Sequence, residues 1–150
     1  MGHLHRFWSL TRREKHVICE AGILLLLANL CVKTVSFRHI DYFLRARWKD
    51  ENSRDLNAAD EIGFVDLSVS RAANRLPWKS MCLSRSIAAF IMLRRRGIPA
   101  VLFAGVKIFE NYSLCAHAWV VTAHGVIGRE SENAEFTPLI RIGPGFIVLS

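Results

Sequence analysis

The sequence predicts an α+β fold in which helices come first and a small antiparallel sheet comes second. Three observations lead there. Helical hydrophobic periodicity is confined to the part of the chain before Gly97. After Pro99 the texture changes to short β-like runs. His124-Gly125, between two of those runs, suits a hairpin turn that sets neighbouring strands antiparallel.

The first helix is expected over residues 11–32. Thr11 and Glu14 have the spacing of a capping box, a Thr at the N-cap and a Glu three residues on. The rest of this segment is apolar on most faces, which suits a central helix. The largely apolar run 21–32 lies between Glu20 and Lys33, shorter than the roughly 18 residues a spanning helix needs. Arg6, Arg12, Arg13 and Lys15 give it a basic start like a signal peptide's, but no small-x-small cleavage site comes after it. A buried helix is expected, with no spanning membrane segment.

A second, short helix is expected over 36–49, with Phe37, Ile40, Phe43 and Leu44 on one side. Residues 49–60 are polar and rich in Asp, Asn and Ser, and read as a surface loop. From Glu61 onward Ile62, Val65, Val69, Ala72 and Leu76 recur at alternating spacings of three and four, an amphipathic helix that Pro77 ends. A further helix is expected over 81–96, capped by Ser80 or a neighbour. Gly97 stands in the position that closes a helix, and Pro99 lies beyond. Arg94, Arg95 and Arg96 sit in its last turn, where they complement the helix dipole. Strands are expected at 100–106, 116–122, around 126–127 and at 146–149.

At 150 residues the chain reads as one domain, residues 1–150. Residues 1–60 form a helical part and loop, and 61–150 form a core that could do chemistry. A chain this long needs no disulfide or metal to be stable. Its net charge is +7, divided as +4 before Cys82 and +3 from it onward. A spread excess is a weak sign of an acidic partner, and no nucleic acid is expected. Cys19, Cys31, Cys82 and Cys115 form no C-x-x-C pair and no zinc spacing with the six histidines. No glycine-rich phosphate loop is present. A reducing cytoplasm and no cofactor are expected.

Cys82 stands at the start of an expected helix. The unpaired backbone N–H groups there favour an anion, whether a thiolate or a tetrahedral oxyanion. His117 lies in the strand-like run Cys115-Ala116-His117-Ala118-Trp119-Val120, where alternation puts His117, Trp119 and Val121 on one face. A histidine on a sheet packed against that helix can take the thiol proton and return it to a leaving amine. Taken singly, each has a plainer reading: a packed core cysteine, and a structural histidine beside a tryptophan. The carboxylate that would orient the ring is Glu130 if the hairpin tip is Ala123-His124. That register sets residue 130 opposite 117, with Cβ atoms about 4.5–5.5 Å apart. A tip at His124-Gly125 would bring Glu132 there instead, and a backbone carbonyl is the remaining candidate.

The ordered set Pro77-Trp78, Cys82-Leu83, Arg95-Arg96-Gly97-Ile98-Pro99, Gly105-Val106 and His117-Ala118-Trp119-Val120 resembles the lasso-peptide leader peptidases. These are bacterial cysteine proteases with a papain-related, transglutaminase-like fold. The resemblance covers about residues 61–140 well and the apolar helices before them more loosely. It implies that Cys82 is the nucleophile and His117 the base. It also implies cleavage of a leader from a ribosomally made precursor, before an asparagine-synthetase-like cyclase closes the ring. The family usually places an Asp about a dozen residues after the His. This chain has none there, and Glu130 is the candidate for that role. The family's long form carries a leader-binding domain before the protease. This chain resembles the short form, which implies a separate leader-recognition protein. Two other functions are open: an acyl transferase, which would use the same residues, and a non-catalytic membrane-associated adaptor, suggested by the apolar first helix and the charge of +7, in which Cys82 and His117 are core residues.

Overall fold

The computed structural model describes residues 11–47, 58–77, 82–110, 113–128 and 136–143. The first helix, α1 (Arg12–Thr34), begins at the capping box read from the sequence. The Thr11 backbone N–H donates to the Glu14 carboxylate at 2.7 Å, and the Glu14 N–H donates to Thr11 Oγ1 at 3.3 Å. Val17, Ile18, Ala21, Leu25 and Ala28 of α1 enter the core, while Ile23, Leu26, Leu27 and Leu30 stay exposed. By length and composition α1 is apolar enough to cross a membrane, and a third of its most apolar window is buried inside the fold. The run between Glu20 and Lys33 understates this length, because the helix extends past both flanking charges.

A short helix, α2 (Phe37–Arg47), comes next and buries Ile40 and Leu44. Then comes α3 (Ala58–Ala73). It starts inside the expected loop 49–60, the rest of which lies outside the described residues. Asp60 and Glu61 occupy its first turn, where negative charge is favoured. It ends at Ala73, and the chain turns through the residues before Pro77, which cannot continue a helix. Leu76 still packs on the core from the turn beyond the helix.

The last helix, α4 (Cys82–Arg95), ends in a full Schellman motif. Ile98 N–H donates to Leu93 O and Gly97 N–H to Arg94 O, with Gly97 at φ +73°. The arginine triplet does more than complement the dipole. Arg94 is buried. Arg95 and Arg96 both reach Glu20 of α1, at 3.1 and 2.7 Å. Arg96 also lies 3.7 Å from Glu61 of α3, which in turn pairs with Arg13 of α1. Five alternating charges thus join three helices.

The strands β1 (Ala100–Ile108), β2 (Leu114–Thr122), β3 (Gly125–Ile127) and β4 (Thr137–Ile142) form an antiparallel sheet in the order β3-β2-β1-β4. Even-numbered side chains of the two central strands, Ala100, Leu102 and Val120 among them, join the helices in one core. The turn between β2 and β3 is Ala123-His124, closed by the Thr122–Gly125 pair, one residue earlier than a turn centred on His124-Gly125. Thr122 Oγ1 donates to Gly125 O at 2.7 Å across it. The strand expected at 146–149 lies outside the described residues. The fourth strand seen, β4, is not among those expected from the sequence. Pro138 argues against a strand in general, but β4 is an edge strand, where a missing N–H can face away from the ladder.

Candidate active site

Cys82 is the first residue of α4 and is half-buried. Its expected cap, Ser80, lies outside the described residues. The thiol Sγ lies 3.9 Å from Ala116 O on β2. One helical turn later, the buried Ser86 hydroxyl donates to Ala118 O at 2.8 Å. Residues 116, 118, 120 and 122 have the same parity on β2. Thr122 closes the two-residue hairpin and Val120 pairs with Ile127, so the carbonyls of this set point toward β3. As β3 ends at Ile127, side chains of α4 take up two carbonyls beyond the β3 ladder.

His117 is the residue directly after Ala116. A planar trans peptide holds a carbonyl oxygen about 3 Å from the next Cα, which puts Cys82 Sγ within about 7 Å of His117 Cα. The imidazole is stacked on Trp119 with centroids 6.0 Å apart, and Phe136 lies 5.1 Å away on another side. Trp119 stacks in turn on Phe103 across the β1–β2 pair at 5.7 Å. The shared face of His117 and Trp119 is therefore as expected. Alternation puts it on the side of the sheet turned away from the helices. The thiol therefore meets β2 at the Ala116 carbonyl while the imidazole stands on the other face of the strand, and among the described residues no hydrogen bond joins them.

His117 Nε2 is buried with no hydrogen-bond partner. Burying an unsatisfied polar atom costs about 1–3 kcal/mol, so an orphan here asks for a partner in the working state. The β2–β3 register pairs 120 with 127, 121 with 126 and 122 with 125, the register that the Ala123-His124 tip requires. Glu130 and Glu132 themselves lie outside the described residues.

Opposite His117 on β1 stands Gly105. The β1–β4 register shifts between Ala104 and Gly105, which brings β4 close. A Cβ at 105 would meet Thr137 O at 2.5 Å and Trp119 Cη2 at 3.1 Å. Only glycine fits the floor beneath the His117–Trp119 stack. Cys115 is exposed, with its Sγ also 3.9 Å from Ala116 O. Cys19 and Cys31 are exposed on α1. Among the described residues no cluster of three or more His, Cys, Asp and Glu side chains could hold a metal. A groove of about 600 Å³, lined by Leu24, Leu27, Ile40, Phe43, Ile87 and Ile91, lies apart from Cys82 and His117.

Sequence reasoning singles out Cys82 and His117 but not Ser86, Phe136 or the tight contacts of Gly105. Ser86 has one available signal: it stands four residues after the candidate nucleophile and hence on the same helix side.

A family model described as Transglutaminase-like superfamily matches residues 24–141, a span that holds Cys82 and His117. No curated protein and no solved structure matches the chain.

Proposed function

The chain belongs to the transglutaminase-like superfamily, and from that premise we propose that it is the cysteine protease that removes the leader from a lasso-peptide precursor. The observation that carries this reading is the meeting of Cys82, at a helix start, with the carbonyl that precedes a histidine whose ring nitrogen is buried and unpartnered.

In this reading the Cys82 thiol gives its proton to His117 and the sulfur attacks the scissile carbonyl carbon. The N–H groups at the start of α4 receive the oxyanion. Collapse breaks the C–N bond, and the imidazolium delivers its proton to the departing amine, which is the new N-terminus of the core peptide. Water, deprotonated by His117, then cleaves the thioester and frees the leader carboxylate and the thiol. Glu130 holds the other ring nitrogen. A separate leader-recognition protein delivers the precursor in the cytoplasm, and an asparagine-synthetase-like cyclase consumes the freed N-terminus.

The test is a purified reaction of precursor, recognition protein and this chain. Cys82→Ala abolishes cleavage, whereas Cys19→Ala, Cys31→Ala and Cys115→Ala keep measurable activity. Normal cleavage by Cys82→Ala would sink the mechanism. The family's description favours a second reading, acyl transfer from the thioester to an amine instead of water. Precursor incubated with a trace amine separates the two: hydrolysis leaves a free leader carboxylate, transfer leaves an amide.

A further inference from the structure

We infer that Ser86 is a positioning residue, whose hydroxyl on Ala118 O sets the register of α4 along β2 and so places the Cys82 sulfur at the Ala116–His117 peptide. This rests on the reading of Cys82 as the nucleophile.

The geometry is a two-point match. Cys82 and Ser86 are four residues apart on a helix, a rise of about 6 Å. Ala116 and Ala118 are two residues apart on a strand, a rise of about 6.6 Å. The two spacings agree closely enough for both contacts to form at once, with α4 and β2 running in the same direction locally. The two contacts differ in strength. A thiol is a weak donor, and the Cys82 contact is long at 3.9 Å. The Ser86 contact is a short, fully formed hydrogen bond at 2.8 Å between buried groups. The weak contact cannot hold the strong one in place, whereas the strong one can hold the weak.

Ala88 and Ala89 are fully buried and present only methyl groups, while Ile87 and Phe90 anchor the helix in the core. Apolar burial is non-directional, so it sets the depth of the helix and leaves the choice of carbonyl to the polar contacts. A slip along the strand moves the sulfur away from His117. The Ser86 hydroxyl opposes it, because a slip breaks the buried 2.8 Å hydrogen bond to Ala118 O.

The experiment uses the full chain with Cys19, Cys31 and Cys115 replaced by Ser, so that Cys82 is the sole thiol. Ser86→Ala, Ser86→Thr and Ser86→Val are compared for the rate of Cys82 alkylation by iodoacetamide, well below each variant's Tm. Thr and Val have the same shape and differ in one hydroxyl, so that pair removes volume from the comparison. The expected result is that Thr labels within about twofold of the parent, while Ala and Val label at least tenfold more slowly. In cleavage assays the loss falls on kcat with KM nearly unchanged, as for a reacting group held out of place. Equal labelling rates for Thr and Val, or a Tm loss without a labelling change, would overturn the inference. So would a set in which only the Thr variant folds, since the hydroxyl would then serve stability alone. Labelling needs no peptide substrate. If the chain cuts no precursor but the labelling pattern holds, the protease reading fails and the register role stands.

Discussion

Replacing Gly105 by Ala adds one methyl group at the place where three parts of the site meet. The new Cβ would lie 2.5 Å from Thr137 O, 3.0 Å from Thr137 C and 3.1 Å from Trp119 Cη2. Two of these are backbone atoms of β4 and cannot rotate away. The strand must therefore retreat by at least about 0.5 Å to bring its oxygen to the 3.0 Å that real Cβ contacts keep. Overpacking of this kind costs about 1–3 kcal/mol. For a chain of this length each kcal/mol lowers Tm by roughly 2–4 °C, so a fall of about 4–8 °C is expected for a mid-range cost. The effect on catalysis is larger than the loss of folded protein explains. Trp119, pushed from above Gly105, carries the stacked His117 with it, and a misplacement near 1 Å can cost about 100-fold in rate. Scanning calorimetry and kcat, both at a temperature where the variant is folded, read the two effects separately. Gly63→Ala on α3 is the control, because it is exposed with open space around its Cβ direction. It gains about 0.5–1 kcal/mol of helix stability, raises Tm by roughly 2 °C and leaves kcat unchanged. A Gly105→Ala variant with the parent's Tm and kcat would refute the reasoning.

Three further outcomes are expected. Glu130→Gln lowers kcat with KM nearly constant, whereas Glu132→Gln is close to silent; steady-state cleavage kinetics of both variants checks the assignment, and the reverse pattern transfers the role to Glu132. Glu14, whose carboxyl is held below its usual 4.5 by the Thr11 N–H and then the Thr11 hydroxyl, stabilises the fold in full above about pH 4.5. That contribution is lost as pH falls through the lowered folded value, so the Tm difference between the parent and Glu14→Gln closes on acidification. Cleavage of the precursor is much faster with the leader-recognition protein than without it, and equal rates across substrate concentrations would show that this chain recognises the leader unaided.

Features set by neighbouring residues were legible in the sequence. Thr11 with Glu14, and Gly97 with Pro99 beyond it, each mark a helix end whose bonds close within five residues, so the local order of residues exposes them. The same holds for the Ala123-His124 turn, which needed only a choice between two tips. Position at a helix start marked Cys82, and strand alternation marked the His117–Trp119 pair. The features that stayed hidden depend on residues far apart in the chain. β4 pairs with β1 some 35 residues earlier, through a register shift that no local pattern announces. The face of the sheet that His117 occupies depends on which side the helices cover, and periodicity gives alternation without that sign. Ser86 and Gly105 act through partners on β2 and β4, so their roles emerge only once the strands are in place.

The charge chain Arg13–Glu61–Arg96–Glu20–Arg95 makes tolerance to mutation lopsided. The protein has 20 basic and only 13 acidic residues, so carboxylates are the scarce partner, and both here are shared. Losing Arg13 or Arg95 leaves its carboxylate still served by Arg96. Losing Glu20 takes a partner from Arg95 and Arg96 at once, and losing Glu61 takes one from Arg13 and Arg96 and leaves those two cations facing each other between helices. A cation at either end of the chain is thus replaceable, a carboxylate inside it is not, and drift in this part of the sequence is expected to spare Glu20 and Glu61 longest.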